Sequence, residues 1–290
     1  MKINGTTRTC GLIGNPVEHT LSPVIHNTLA KMLGINMVYV PFLVEEDGVE
    51  KAVRGAYALH VLGMNVTVPY KSEVMEYLCE TDDLAEKIGA VNTLVRCAGG
   101  YKGYNTDMSG LFRAMQSEGI EMQGEHVLIL GAGGAARAVA FLCAECGAKS
   151  IRICNRTKDK AQAIADEIRA YAEDIVIEAI NYDQISEVNE DSFLAVQCTS
   201  VGLYPNVEDV VLPDGVVYDK IHTGVDLIYR PYETKFMKLV KNHGGKTMNG
   251  LKMLLYQGVI AFELWNKCDI TEKQAISILQ KMKEELGIYE

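Results

Sequence analysis

Two short segments carry residue types suited to holding a phosphate-rich cofactor. The run Val127-Leu128-Ile129-Leu130-Gly131-Ala132-Gly133-Gly134-Ala135-Ala136-Arg137 reads as an apolar strand, a glycine-rich turn and the start of a helix. Asn155-Arg156-Thr157 follows a second apolar strand, Ile151 to Cys154, at the spacing of roughly 20 residues that a dinucleotide-binding βαβ unit requires. Gly131 permits the tight turn, Gly133 lets the backbone approach a pyrophosphate, and Ala136 is the small residue where helix and strand pack closely. The pyrophosphate would sit among Gly131, Ala132, Gly133, Gly134 and Ala135, on the amides and positive dipole of the helix N-terminus. An acidic residue after the second strand would bind the ribose 2′-OH of NAD. Asn155, Arg156 and Thr157 instead accommodate a 2′-phosphate, which favours NADP. Arg152, Lys158 and Lys160 add positive charge around Arg156. A glycine trio alone is also an ordinary tight turn, and a lone arginine an ordinary surface residue. The flanking strands and helix carry the cofactor reading.

A second group of polar residues gathers where other strands begin or end. It comprises Gly14-Asn15-Pro16 with His19-Thr20-Leu21-Ser22-Pro23, Asn65-Val66-Thr67-Val68-Pro69-Tyr70-Lys71, Ala90-Val91-Asn92-Thr93, and Gly103-Tyr104-Asn105-Thr106-Asp107. Open parallel sheets bind ligands at one such edge. Hydroxyls, amides, one lysine and one aspartate there suit a small, neutral-to-anionic, polyhydroxylated ligand. Each residue has a plainer reading too. Ser22 before Pro23 has the form of a helix N-cap, Asp107 could cap a helix starting at Met108, and Lys71 could be a solvated charge. His19 and His26 read as hydrogen-bonded structural residues, since no third metal ligand has suitable spacing.

The elements that must place these residues alternate. Strands are expected at Thr9–Ile13, Met37–Leu43, His60–Val66 and Ala90–Arg96, with helices around Pro23–Leu33, Asp47–Tyr57 and Ser72–Leu78. A second series has strands at Val127–Leu130, Ile151–Cys154, Ile175–Ile177, Leu194–Cys198, Val216–Tyr218 and Val225–Leu227, then helices at Glu233–Asn242, Leu251–Asn266 and Thr271–Leu286. This order implies an α/β protein of two parallel-sheet domains, with the boundary at a helix start near Asp107. The 290 residues carry a net charge of −10, which disfavours a nucleic-acid partner. No window approaches a membrane span, and Met1–Gly5 lacks the apolar core of a signal peptide. The eight cysteines have no paired C-x-x-C spacing. Cys10, Cys154 and Cys198 lie in apolar runs and read as small buried hydrophobes, consistent with a reducing cytoplasm and with no metal site.

Taken in order, these segments resemble the shikimate dehydrogenase family. The resemblance continues through Thr199-Ser200-Val201-Gly202, Asp226-Leu227-Ile228-Tyr229-Arg230-Pro231, Asn249-Gly250-Leu251, Gln257 and Ala261-Phe262-Glu263-Leu264-Trp265, and covers essentially the whole chain. It implies NADP-dependent, reversible reduction of 3-dehydroshikimate to shikimate in aromatic amino-acid biosynthesis, by a monomer or homodimer. Lys71 and Asp107 would be the catalytic pair. Thr20, Ser22, Thr67, Asn92, Tyr229 and Gln257 would hold the substrate, and Thr199 and Gly250 would join the cofactor set. The last two helices would return to the first domain. The expected domains are then 1–106 with 248–290 for substrate and a Rossmann-like 107–247 for NADP, with an active-site cleft between them.

The chemistry fits. Hydride transfer to a ketone leaves an alkoxide that a lysine ammonium can protonate, while a neighbouring carboxylate fixes that ammonium. Two positions depart from the common pattern. Thr20 replaces the first serine of the His-Ser-x-Ser motif, adding a methyl at the carboxylate end of the pocket, and Cys198 stands where asparagine is frequent. The nearest rival is a quinate/shikimate dehydrogenase with relaxed substrate or NAD use, but Thr157 rather than an acid follows Arg156. A non-catalytic sensor would not need the Lys/Asp pair, and a methylenetetrahydrofolate dehydrogenase would lack the Ser/Thr/Asn set.

Overall fold

The computed structural model describes residues 2–172, 174–215 and 217–289. The chain divides into two compact units, Met1–Leu111 with Leu254–Glu290, and Phe112–Met253. In the first, β1 (Arg8–Gly14), β2 (Met37–Leu43), β3 (Gly63–Val66), β4 (Glu80–Thr81), β5 (Thr93–Cys97) and β6 (Gly100–Tyr104) form a sheet of order β2-β1-β3-β5-β6-β4. Its β2-β1-β3 part is parallel, whereas β5 runs antiparallel to both β3 and β6. Helices α1 (Ser22–Met32), α2 (Val49–Ala58) and α3 (Asp83–Ile88) belong to this unit. Helix α4 (Thr106–Ser117) leaves it and α8 (Leu251–Asn266) re-enters it, followed by α9 (Glu272–Glu285). Trp265 pins α8 to the sheet, its indole Nε1 donating to the Leu94 carbonyl at 2.9 Å. Gly63 makes this approach possible, because a Cβ there would lie 2.1 Å from the indole nitrogen.

The second unit holds β7 (His126–Leu130), β8 (Ser150–Cys154), β9 (Val176–Ile180), β10 (Phe193–Gln197), β11 (Ile221–Asp226) and β12 (Lys246–Met248), with α5 (Gly134–Glu145), α6 (Lys158–Tyr171) and α7 (Lys235–Asn242). All its described strand pairs are parallel, in the order β12-β11-β10-β7-β8-β9. This is the doubly wound order in which the chain reverses its direction of winding between the first and fourth strands, here β7 and β10. Leu128, Ile129, Ile151, Ile153 and Val196 are fully or almost fully buried, as strands covered on both faces require.

Several expected elements differ. The His60–Val66 strand starts only at Gly63, because His60 adopts φ 57° in the turn after α2. The Ala90–Arg96 strand starts at Thr93 and returns through a hairpin at Gly99 (φ 86°) into β6, which the polar run 103–107 had concealed. Residues Glu73–Tyr77 form a 3-10 turn rather than the expected helix over Ser72–Leu78. Of the expected Val216–Tyr218 strand, Val216 lies outside the described residues and Tyr218–Lys220 is a 3-10 turn. Cys10 and Cys154 are fully buried, but Cys198 lies beyond the end of β10 and is only half-buried. Among the described residues no helix is long and apolar enough to cross a membrane.

Candidate active site

The antiparallel β5 is what concentrates polar residues at one edge of the first sheet. Because it runs against β3, it begins where β3 ends: Asn65 faces Thr93, and Thr93 faces Tyr104 at the end of β6. Gly14, at the end of β1, brings Thr67 to the same edge. A Cβ at Gly14 would lie 2.2 Å from the Thr67 methyl, and the Thr67 N–H donates to the Ile13 carbonyl at 2.9 Å.

Lys71 and Asp107 meet there. Lys71 Nζ donates to Asp107 Oδ2 at 2.7 Å, with the side chains 32% and 22% exposed. The pair is formed without being sealed from solvent, so a ligand can reach both charges. Local structure leaves Asp107 available, because the cap of α4 is Asn105, whose Oδ1 accepts from the Met108 N–H at 3.3 Å. Asn92 is buried. Its Oδ1 accepts from the Thr106 N–H at 2.7 Å and from the Thr106 hydroxyl at 3.2 Å, so its Nδ2 is left without a protein partner among the described residues. Asn92 is thus tied to Thr106, the residue just before Asp107.

Ser22 is not the N-cap of α1; that position is Leu21, with no side-chain cap bond. The Ser22 hydroxyl is therefore not consumed by the helix end. It accepts from Thr20 Oγ1 at 3.1 Å, and Thr20 Oγ1 accepts in turn from the Ser22 N–H at 3.2 Å. Gln257 is buried on α8, its Nε2 donating to the Leu254 carbonyl at 2.8 Å. Gly110 lets α4 and α8 touch there, since a Cβ would lie 2.6 Å from the Gln257 nitrogen. His19 is exposed. His26 is fully buried, as a structural residue would be, yet neither ring nitrogen has a hydrogen-bond partner among the described residues. Burial pushes its pKa down to about 3, with nearby Asn65 opposing. Unpartnered nitrogens are tolerable only because a neutral imidazole costs far less to bury than a charged one.

In the second unit, Gly131 takes φ 113°, a backbone conformation that favours glycine. Its N–H donates to the Cys154 carbonyl at 2.8 Å, joining the glycine turn to the end of β8. A Cβ on it would lie 2.8 Å from the Thr199 methyl, so Thr199, beyond β10, stands beside the turn. Helix α5 starts with Gly133 as N-cap, no side-chain cap bond and no acid in its first turn. A Cβ at Gly133 or Gly134 would meet nothing within 4 Å, whereas Ala136 is fully buried. Uncapped amides, open space and absent negative charge are what an incoming pyrophosphate needs. Arg156 and Thr157 are exposed; Asn155 is half-buried and donates its amide to the Thr157 carbonyl at 2.8 Å. Arg152 is not part of this surface: it is engaged by Glu178 and Glu190. Gly250 packs against the chain after β11, where a Cβ would lie 2.0 Å from the Leu227 carbonyl oxygen. Tyr229 is half-buried, and burial raises its pKa while Arg230 opposes. Just before it, Asp226 is fully buried, accepting from the Ile228 N–H at 2.9 Å and the Thr234 hydroxyl at 2.6 Å.

Comparison with known proteins identifies the family. The family described as shikimate dehydrogenase substrate binding domain matches residues 12–94, and the family described as shikimate / quinate 5-dehydrogenase matches residues 113–202. Shikimate dehydrogenase (NADP(+)) of Desulforamulus reducens is 43% identical over 267 residues, 91% of each chain. A shikimate dehydrogenase solved in complex with NADP+ is 38% identical with a TM-score of 0.87, over 97% of each chain. Shikimate 5-dehydrogenase from Listeria monocytogenes, solved with shikimate and NAD, is 32% identical with a TM-score of 0.88, over 99% of this chain and 98% of that one.

Proposed function

The chain belongs to the shikimate dehydrogenase family, and we propose that the Lys71–Asp107 pair is the acid–base centre of its reaction. That reaction is the NADP-dependent, reversible reduction of 3-dehydroshikimate to shikimate. The observation that carries the assignment is the 2.7 Å contact between a partly exposed ammonium and a partly exposed carboxylate on one ligand-facing sheet edge. When bound, NADPH supplies the hydride. Lys71 Nζ donates a hydrogen bond to the substrate carbonyl and, as charge builds on that oxygen, gives it a proton. Asp107 holds the ammonium in place and accepts a hydrogen bond from the neighbouring substrate hydroxyl. Thr20 and Ser22 take the substrate carboxylate. Thr67, Asn92 through its Nδ2, Gln257 and Tyr229 take its hydroxyls.

Gly131, Ala132, Gly133, Gly134 and Ala135 would receive the pyrophosphate on the α5 N-terminus. Asn155, Arg156 and Thr157 would take the 2′-phosphate, and Thr199 and Gly250 complete the cofactor set. All eight cysteines are free, which suits a reducing cytoplasm. Steady-state assays of shikimate and quinate, each with NADP+ and NAD+, test the reading. Turnover with shikimate and NADP+ should exceed every other combination, and equal or better turnover of quinate would overturn the substrate assignment.

A further inference from the structure

Tyr39 lies in the edge strand β2, and two residues of α1 address it. Asn27 clamps its main chain: Asn27 Nδ2 donates to the Tyr39 carbonyl and Asn27 Oδ1 accepts from the Tyr39 N–H, both at 2.9 Å. The side chain of α1 thereby supplies the ladder that an edge strand lacks. His26 stacks on the phenol ring at 4.2 Å between centroids and 19° between planes. The fully buried hydroxyl donates to Asn65 Oδ1 at 2.8 Å.

From Asn65 the bonding continues in one direction. Asn65 Nδ2 donates to Thr93 Oγ1 at 3.0 Å and to the Asn92 carbonyl at 3.2 Å. Thr93 Oγ1 in turn lies 3.2 Å from Asn92 Oδ1 and 3.0 Å from Thr106 Oγ1. Each amide therefore has its oxygen and nitrogen ends assigned by its neighbours. A phenol can donate to Asn65 only if that residue presents its oxygen, and only then do both Nδ2 protons reach Asn92 and Thr93. Burial pushes the Tyr39 pKa well above its ordinary value, with Ser22 opposing, so the hydroxyl remains a donor.

We propose that Tyr39 is a positioning residue for substrate: its phenol fixes Asn65, which holds the Asn92 main chain and the Thr93 hydroxyl beside Asn92 Oδ1, and so supports the placement in which Asn92 offers Nδ2 to the ligand. The inference rests on the substrate-site assignment above. Tyr39→Phe removes one oxygen and keeps the ring against His26. A buried hydrogen bond of this kind is worth roughly 0.5–1.5 kcal/mol, or about 2- to 12-fold in equilibrium. The shikimate KM should rise roughly 3- to 10-fold, with the NADP+ KM within about twofold and kcat falling less than the KM rises. Asn65→Ser should give the same split. In the Asn65→Ser background Tyr39→Phe should add almost nothing to the shikimate KM, since its path is already cut.

A merely structural role would lower the melting temperature and leave the shikimate KM where it was; that result overturns the proposal. Additive effects in the double variant overturn it too. If Tyr39→Phe does not fold, an unchanged shikimate KM in Asn65→Ser overturns the proposal by itself. Lys71→Ala, assayed alongside, keeps the two readings apart. Normal turnover in Lys71→Ala refutes the site, whereas lost turnover there with an unchanged KM in Tyr39→Phe refutes only the role of Tyr39.

Discussion

Replacing Asp226 by asparagine should abolish a specific pH dependence of stability. The Asp226 carboxylate has no exposed surface. Burial raises its pKa from 3.8 to about 6, against the pull of the Thr234 hydroxyl and the Ile228 N–H. A tenfold difference in proton affinity is about 1.4 kcal/mol, so holding this group ionised in the folded chain costs about 3 kcal/mol. The folded state binds the proton more tightly than the unfolded state. This contribution therefore stabilises the fold as pH falls below about 6, saturates below 3.8, and is absent above about 7. Roughly 2 kcal/mol of it appears between pH 7.5 and 4.5. Asparagine keeps an acceptor for Ile228 and a polar contact for Thr234 but cannot titrate. The single tryptophan, Trp265, belongs to the other unit, so urea unfolding is best followed by far-UV circular dichroism. The difference in unfolding free energy, wild type minus Asp226→Asn, should rise by roughly 2 kcal/mol on going from pH 7.5 to 4.5. A difference independent of pH would refute the reasoning.

Other outcomes are equally specific. Arg156→Ala should lower kcat/KM for NADP+ at least about tenfold while leaving NAD+ turnover nearly unchanged, since one charge-assisted contact contributes roughly 1.5–3 kcal/mol; an unchanged cofactor ratio contradicts the 2′-phosphate assignment. Gly250→Ala places a Cβ 2.0 Å from the Leu227 carbonyl oxygen and should destabilise the second unit by roughly 1–3 kcal/mol in thermal or urea unfolding. Thr20→Ser should change the shikimate KM only a few-fold, because one methyl-sized group is worth roughly 0.8 kcal/mol, or about fourfold; a switch to quinate preference would contradict it. His243 is held by Asp219 at 2.5 Å and Asp214 at 2.8 Å, which raise its pKa. Its contribution to stability is therefore present below pH 6.5 and lost as pH rises through the raised value, so His243→Gln should lower the melting temperature at pH 6 more than at pH 9.

Much of this was legible in the residues because local rules and tertiary demands coincide. The second unit is one repeated βαβ pattern, in which the glycine turn, the small Ala136 and the strand after it together support one reading that the glycines alone would not. Asn92 and Thr93 were recognisable as polar residues at a strand end, but the antiparallel direction of the strand they open was not. A two-residue hairpin at Gly99 leaves little trace in hydrophobic periodicity. Ser22 and Asp107 had capping readings that sequence could not dismiss; Leu21 and Asn105 occupy those roles instead. Arg152 looked like part of a phosphate-binding patch only because its partners, Glu178 and Glu190, are distant in sequence. His26 was expected to be hydrogen bonded, whereas stacking between Tyr39 and Trp265 holds it. Tyr39 lies within the expected strand Met37–Leu43, and nothing in its local pattern announces a partner 26 positions away.

The most direct test is the turnover of a Lys71→Ala variant, with shikimate affinity measured separately by calorimetry. A group that gives its proton to the reacting oxygen acts in the transition state, so its loss should lower kcat at least about a hundredfold while shikimate affinity falls far less. Near-normal kcat in a folded Lys71→Ala protein would contradict the assignment of the Lys71–Asp107 pair as the acid–base centre.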